Sequence, residues 1–296
     1  MTMFAYLGPD MPHDLFAASG RCGGAVGWII DRATPDADRW LESKFPLWTR
    51  SVLQDWADGA LDHLEAVVFT RADDSAQRLY YYVCELRANG TIQGPEPLML
   101  DIAKAGRASS LARTVASLRA LQGRLGVDDA ALEAGIAATN AVRAAQAAAM
   151  DEAAPLCLIA GTPAPDDRLR AMVRAAGWAA AGQSLTELWA DLGQPVEQGS
   201  SDPVLAVARN LVASAQGPRA FVDRGAGLVA QAQALKARAV VLWLPEEEEA
   251  LGWHLPVQIA ALTLAGLPHL VLTRRDGAGR DGVDAEIAAF LQGVAA

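Results

Sequence analysis

The chain is short of lysine, of cysteine and of phosphate-binding motifs, and each shortage narrows what it does. Lysine occurs only at positions 44, 104 and 236; the remaining positive charge is arginine. With a net charge of −10, the chain lacks the basic excess that non-specific nucleic-acid binding requires. Cys22, Cys84 and Cys157 are widely separated, with no CxxC or CxxH spacing. That argues against a disulfide framework and a structural zinc site. Cys84 lies in a helical pattern and Cys157 in a strand pattern, where buried bystander thiols are expected. No Gly-x-Gly-x-x-Gly, P-loop, Gly-x-Ser-x-Gly or His-Glu-x-x-His occurs. The glycine-dense stretch from Gly20 to Gly24 joins a helix to a strand, the wrong order for holding phosphate at a helix start. Met1 to Leu15 has no basic start or long apolar core, and no apolar run reaches ~18 residues. No signal peptide and no membrane contact are therefore expected, and a cytoplasmic location is the default.

What is present is apolar sequence in short, regularly punctuated runs. The chain has 296 residues, 52% hydrophobic and 20% charged, enough for one large or two medium α/β domains with a real core. The clearest unit is Leu64 to Leu86. Ala66-Val67-Val68-Phe69 is a continuous apolar run, as in a parallel strand covered on both faces. Arg71, Asp73, Asp74 and Ser75 follow as a polar turn and helix start. Leu79, Tyr80, Val83 and Leu86 then recur at helical spacing. Other strands are expected at Phe4–Gly8, Ala25–Ile30 (with Trp28 inside), Pro97–Leu100, Leu156–Gly161, Trp178–Ala181, Ala239–Leu244 and His269–Thr273. Arg107 to Met150 is rich in Ala and Leu, poor in breakers, and reads as two or three helices.

The two ends of the chain echo each other. YLGPDMPHDLFAASG resembles IAGTPAPDDRLRAMVRAAG: strand, Pro-rich turn, Asp, helix, Gly. LEAVVFTRADD resembles ARAVVLWLPEEE, and PLMLD resembles PHLVLTRRD. Each half has about four strands alternating with helices, which predicts parallel sheets. The expected organisation is an N-terminal α/β domain over 1–105, a helical connector over 106–154 and a C-terminal α/β domain over 155–296. In such sheets ligands bind at the carboxyl ends of the strands.

The segments PHDLFAASG, FPLWTRSVL, VVFTRADDSAQRLYYY and HLPVQIAALTLAGLPHLVL, in that order and spacing, resemble the D-component family of 2-hydroxyacyl-CoA dehydratases and benzoyl-CoA reductases. The match covers most of the chain. The resemblance implies two Rossmann-like parallel-sheet domains facing a central cleft. It also implies an acyl-CoA ligand and pairing as a homodimer or as a heterodimer with a homologous, cluster-bearing subunit. Members of that family hold an iron–sulfur cluster on three cysteines and use it for radical chemistry on acyl-CoA thioesters. The matching positions here are Phe45, Ala72 and Glu248 (or a neighbour of Glu248). Neither Phe nor Ala can ligate iron, so the family's redox reaction is not expected of this chain, nor any cofactor or metal of its own.

Two functions follow as expectations. One is a cluster-free partner or scaffold subunit. The other is a redox-independent enzyme of lyase or hydrolase type, acting on an acyl-CoA or a small carboxylate. For the second, His13, Asp73 and His254 are the candidate acid–base groups, and Arg71, Arg78, Trp243 and Trp253 the candidate substrate-binding groups. Each has a plainer role available: a surface or capping His13, a helix cap for Asp73, ion pairs with nearby acids for the arginines, packing for the tryptophans. Glu246 to Glu249 put four carboxylates in one turn, either solvated, or with one held protonated by its neighbours as a general acid, or holding a hard cation. An open apolar pocket lined by Arg71, Trp243, Trp253 or His254 favours the enzyme; a space filled by Phe45 and the tryptophans favours the scaffold.

Overall fold

The computed structural model describes residues 3–145, 154–217 and 219–295. Along the chain run β1 (Met3–Leu7), α1 (His13–Ser19), β2 (Cys22–Ala25), α2 (Pro35–Trp40), α3 (Leu47–Ala57), β3 (Leu64–Thr70), α4 (Asp74–Ala88), β4 (Glu96–Leu100), α5 (Ala108–Leu125) and α6 (Asp129–Ala145). They are followed by β5 (Leu156–Gly161), α7 (Arg168–Ala175), β6 (Ala179–Ala181), α8 (Leu185–Ala190), α9 (Pro203–Ala213) and α10 (Arg224–Ala234). The chain closes with β7 (Ala239–Pro245), a 3-10 turn (Leu251–His254), α11 (Leu255–Leu264), β8 (His269–Arg275) and α12 (Val283–Ala295). No helix among the described residues is long and apolar enough to cross a membrane.

Two four-stranded sheets form, ordered β2-β1-β3-β4 and β6-β5-β7-β8, and every pairing is parallel. The shared strand order is the structural form of the echo between the two halves. Two compact units result: Met1–Leu41 with Thr49–Ala148 and Trp189–Phe221, and Glu42–Trp48 with Ala149–Leu188 and Val222–Ala296. This division differs from the consecutive segments 1–105, 106–154 and 155–296. Helices α5 and α6, expected as a connector, pack within the first unit, α6 against α1 and α5 against α9. The chain therefore returns to its first unit after β6, a return that leaves no local mark in the sequence. Residues 146–153 of the expected connector lie outside the described residues.

In the second unit, alternation sorts side chains to two covered faces. Cys157, Ile159, Val241 and Trp243 pack with Leu169, Val173, Val283, Ile287 and Leu291 on one side. Leu156, Leu158, Val240 and Leu242 pack with Leu228, Ala232 and Leu262 on the other. In the first unit, Ala66 to Phe69 are fully buried between β1 and β4, as the continuous run predicted.

The expected strand over Ala25–Ile30 is displaced. The strand is Cys22–Ala25, with Phe4 opposite Cys22 and Tyr6 opposite Ala25. Trp28 lies beyond it and packs edge-on against Trp189 at 4.8 Å. The register slips by one residue between Phe4 and Tyr6, and Gly24 there has φ of 99°, a bulge of the kind glycine marks in a strand. Gly20 does end α1, as read.

Candidate functional site

The carboxyl edge of the first sheet collects the turns after β1, β3 and β4, and with them most of the buried charge of that unit. The turn after β1 carries Asp10, which adopts a left-handed φ of 58°, a conformation Asp tolerates better than most residues. The turn after β4 carries Lys104. Both side chains are buried, and Lys104 Nζ stands 2.8 Å from Asp10 Oδ2. The same ammonium donates to the Leu211 carbonyl at 2.9 Å and the Ser214 carbonyl at 3.1 Å. Lys104 therefore pairs with one carboxylate and donates to two carbonyls. Burial raises the Asp10 carboxyl above its usual range; Lys104 and Ser214 pull it back, and Asp191 adds to the rise.

The segment after α9 lies over this edge. A Cβ at Gly217 would stand 3.1 Å from the Ala72 carbonyl oxygen and 3.7 Å from Pro9 Cγ, and Gly217 has φ of 77°, so glycine suits both the approach and the backbone. Arg219 then donates to the Arg71 carbonyl at 3.0 Å, to Gln77 Oε1 at 2.7 Å and to Asp74. Ala72, the position where the resembled family places a thiolate, is consequently 1% exposed. Its neighbours are engaged as well. Asp73 caps α4 by accepting from the Ala76 N–H at 2.7 Å. Arg71 meets both oxygens of Asp101 at 3.2 Å, and Arg113 shares that carboxylate at 2.8 Å. Arg78 is half-buried on α4.

His13 opens α1 against aromatic rings, 5.4 Å from Tyr6 and 6.1 Å from Phe16, and its Nε2 is buried with no hydrogen-bond partner. Burial lowers its pKa to about 4; Asp14 and a hydrogen bond to the Trp189 backbone oppose the shift without cancelling it. The ring is therefore neutral at pH 7. The unfolded ring takes up a proton near pH 6.5 that the folded ring refuses until about pH 4. Stability is therefore expected to fall as pH drops from 6.5 to 4 and to level off below, by up to about 3 kcal/mol. In urea melts at a series of pH values, His13→Phe should flatten that slope; an unchanged slope would assign it elsewhere.

In the second unit one ion pair joins the segments that carry Phe45 and Glu248. Lys44, beside Phe45, pairs with Glu249, beside Glu248. Phe45 itself is buried. Glu248 accepts from the Leu251 N–H at 2.8 Å and from Thr162 Oγ1 at 3.3 Å, so it serves the start of the 3-10 turn. Glu246 faces Arg274 at 3.6 Å. Burial raises the Glu247 carboxyl, and the charges of Asp276, Glu246 and Glu248 add to the effect. Among the described residues, no group of three or more His, Cys, Asp or Glu is placed to hold a metal ion.

The sequence candidates divide between the two units. His13, Asp73, Arg71 and Arg78 belong to the first unit, and His254, Trp243 and Trp253 to the second. Trp243, expected on a pocket wall, is a core residue of β7 packed among Leu272, Val283 and Ile287. Trp253 is the opposite case, 86% exposed. His254 is half-buried at the end of the 3-10 turn and makes no side-chain cap. Cys157 is buried as expected, whereas Cys84, expected buried, is half-buried, as is Cys22. Burial pushes Cys157 up to about 12 and raises Cys22 above its usual value. A groove of about 310 Å³ lined by Cys84, Arg87 and Ile92 lies at the amino end of β4, away from the strand carboxyl ends.

Asp10, Lys104, Asp14 and Arg143 are missing from the sequence candidates. The one available signal was rarity, since Lys104 is one of only three lysines. No family model matches the sequence, and no curated protein matches it.

Proposed function

We propose that the chain is a cluster-free subunit of the 2-hydroxyacyl-CoA dehydratase and benzoyl-CoA reductase kind, a two-domain partner or scaffold with no iron–sulfur radical chemistry of its own. The proposed arrangement is two Rossmann-like domains facing an acyl-CoA-binding cleft, paired with a second copy or with a homologous cluster-bearing subunit. The observation that supports this reading is the chemistry at the three positions where the resemblance calls for thiolates. Phe45 and Ala72 offer no donor atom and are buried, and both oxygens of Glu248 accept hydrogen bonds within its own unit. Cys22, Cys84 and Cys157 sit in β2, α4 and β5, not at those positions. The residues present do not fit the cluster. The redox-independent enzyme is less well supported, because Asp73 is committed to a helix cap and His13 to an aromatic cluster.

The test is anaerobic reconstitution with iron and sulfide, followed by metal analysis and absorption spectroscopy. No iron beyond the level of a cysteine-free control protein is expected. One stable cluster per chain would overturn the proposal.

A further inference from the structure

Positive charge is the minority in this chain, 25 Lys and Arg against 35 Asp and Glu, and it is not spread evenly. Residues 102–127 hold five basic residues and no acid. Three of the five meet acids from elsewhere in the first unit: Lys104 pairs with Asp10, Arg119 with Asp129 and Asp202, and Arg124 with Glu65 and Glu96. The other two are Arg107 and Arg113, at the start of α5. Arg107 is exposed and meets no acid among the described residues. Arg113 meets Asp101, which Arg71 also occupies. The acids that open α4 are committed, Asp73 to its cap and Asp74 to Arg219. Two guanidiniums therefore share one carboxylate at the carboxyl ends of β3 and β4, where parallel sheets take ligands.

The shared carboxylate is the fixed point. The Asp101 side chain is 13% exposed. Its N–H donates to Ser117 Oγ at 2.8 Å, and the Ala103 N–H donates to Thr114 Oγ1 at 3.1 Å, so the turn after β4 is laid along α5. Arg71 reaches both Asp101 oxygens through Nη1, at 3.2 Å, and Arg113 reaches Oδ2 through Nε, at 2.8 Å. A guanidinium has five N–H donors, so Nε and Nη2 of Arg71 and both Nη groups of Arg113 remain. The two side chains are 47% and 66% exposed, within reach of a ligand. Ser109 lies one turn before Arg113 on the same face of α5 and is exposed. No side chain caps the start of this helix, so the positive end of its dipole adds to the same turn.

We propose that Arg71 and Arg113, held at a fixed spacing by Asp101, form an anion site that takes a phosphate monoester, with Ser109 as a further donor. Two guanidiniums held side by side offer paired N–H donors to a tetrahedral dianion, the recognition that arginine serves best. Asp101 and a dianion together balance Arg71, Arg107 and Arg113, which a monocarboxylate does not. Asp101 fixes the pair before the ligand arrives, so little ordering cost falls on binding. The site lies wholly in the first unit and is independent of the family resemblance and of the iron result. Because both arginines are open to solvent, binding is expected to be modest and to weaken with salt.

The experiment is titration calorimetry of the full chain with phenyl phosphate in low-salt buffer at about pH 8, where a phosphate monoester is a dianion. Saturable one-to-one binding is expected, in the high micromolar to millimolar range. Arg71→Gln and Arg113→Gln should each weaken it by about tenfold or more, the loss of a charge-assisted contact. Arg113→Lys keeps the charge without the fork and should fall between. Arg209→Gln, at an exposed arginine of α9, should leave the affinity unchanged. Benzoate, the same ring with a single charge, should bind about tenfold more weakly or worse. Thermal melts should match the wild type; if Arg71→Gln melts lower, the Arg113 variants decide. A wild type without saturable binding would overturn the proposal. So would Arg113→Gln binding as the wild type does, an equal loss in Arg209→Gln, or benzoate binding as tightly as phenyl phosphate.

Discussion

Replacing Lys104 by Met is expected to cost about 3–5 kcal/mol of stability at neutral pH, the penalty for leaving one partner of a buried ion pair alone. Asp10 would be the residue left alone, buried and already biased towards its neutral form by desolvation. The loss should therefore narrow as pH is lowered and the orphaned carboxyl takes up a proton. Lys104 also holds the carbonyls of Leu211 and Ser214, so the variant should become sensitive to proteolysis over 214–217 before it unfolds globally. The double variant Lys104→Met with Asp10→Leu removes both charges and should recover a large part of the loss. The two urea melts, with limited proteolysis alongside, measure these effects. Wild-type stability in Lys104→Met would show that the pair does not bind this edge together.

Arg143→Met should bring a loss of the same size for a different geometric reason. Helix α6 packs closely on α1, because Gly135 has no Cβ to strike the Asp14 carbonyl or the Ala18 methyl. That approach sets Arg143 against Asp14 as a two-pronged pair, Nη1 to Oδ1 at 2.7 Å and Nη2 to Oδ2 at 2.9 Å. Both side chains are buried. The guanidinium also reaches the Leu192 carbonyl at 2.8 Å and Asn140 Oδ1 at 2.8 Å. It thus ties α1, α6 and the chain after α8 together with one planar group. Removing it leaves a buried carboxylate and an unpaired carbonyl, a cost of about 3–5 kcal/mol. Arg143→Lys keeps the charge but not the fork, and should lose an intermediate amount. If Lys and Arg prove equivalent in urea melts, the fork geometry carries no stability.

Lys104 and Arg219 account for how the first unit covers its carboxyl edge. In an open parallel sheet that edge is where ligands usually lie. Here the chain's own segment after α9 covers the turns, with Lys104 holding it at Leu211 and Ser214 and Arg219 holding it at Asp74 and Arg71. In the turn after β3, Asp73 caps α4 and the Arg71 carbonyl accepts from Arg219 of that segment.

Much of the fold was legible in the sequence, and the particular residues show why. Ala66 to Phe69 and Ala239 to Leu244 are continuous apolar runs, and only a strand covered on both faces buries such a run. Asp73 and Asp202 mark helix starts because a carboxylate accepts from an N–H three residues on. Where glycine supplied the only cue, the strand at Cys22–Ala25 was placed too late, since register against β1 decides it and register is a property of two strands.

The sequence by itself determined the class of fold, the parallel sheets and the echo of motifs between the halves. These follow from periodicity, capping and residue identity, which act over a few residues. Only the tertiary structure decided that Asp10 belongs with Lys104 and Asp14 with Arg143, that residues 189–221 return to the first unit, that Trp243 is core while Trp253 is bare, and that Ala72 lies covered. Such partnerships are set by long loops closing in three dimensions. Their cost and reward depend on burial, and no short window of sequence carries that information.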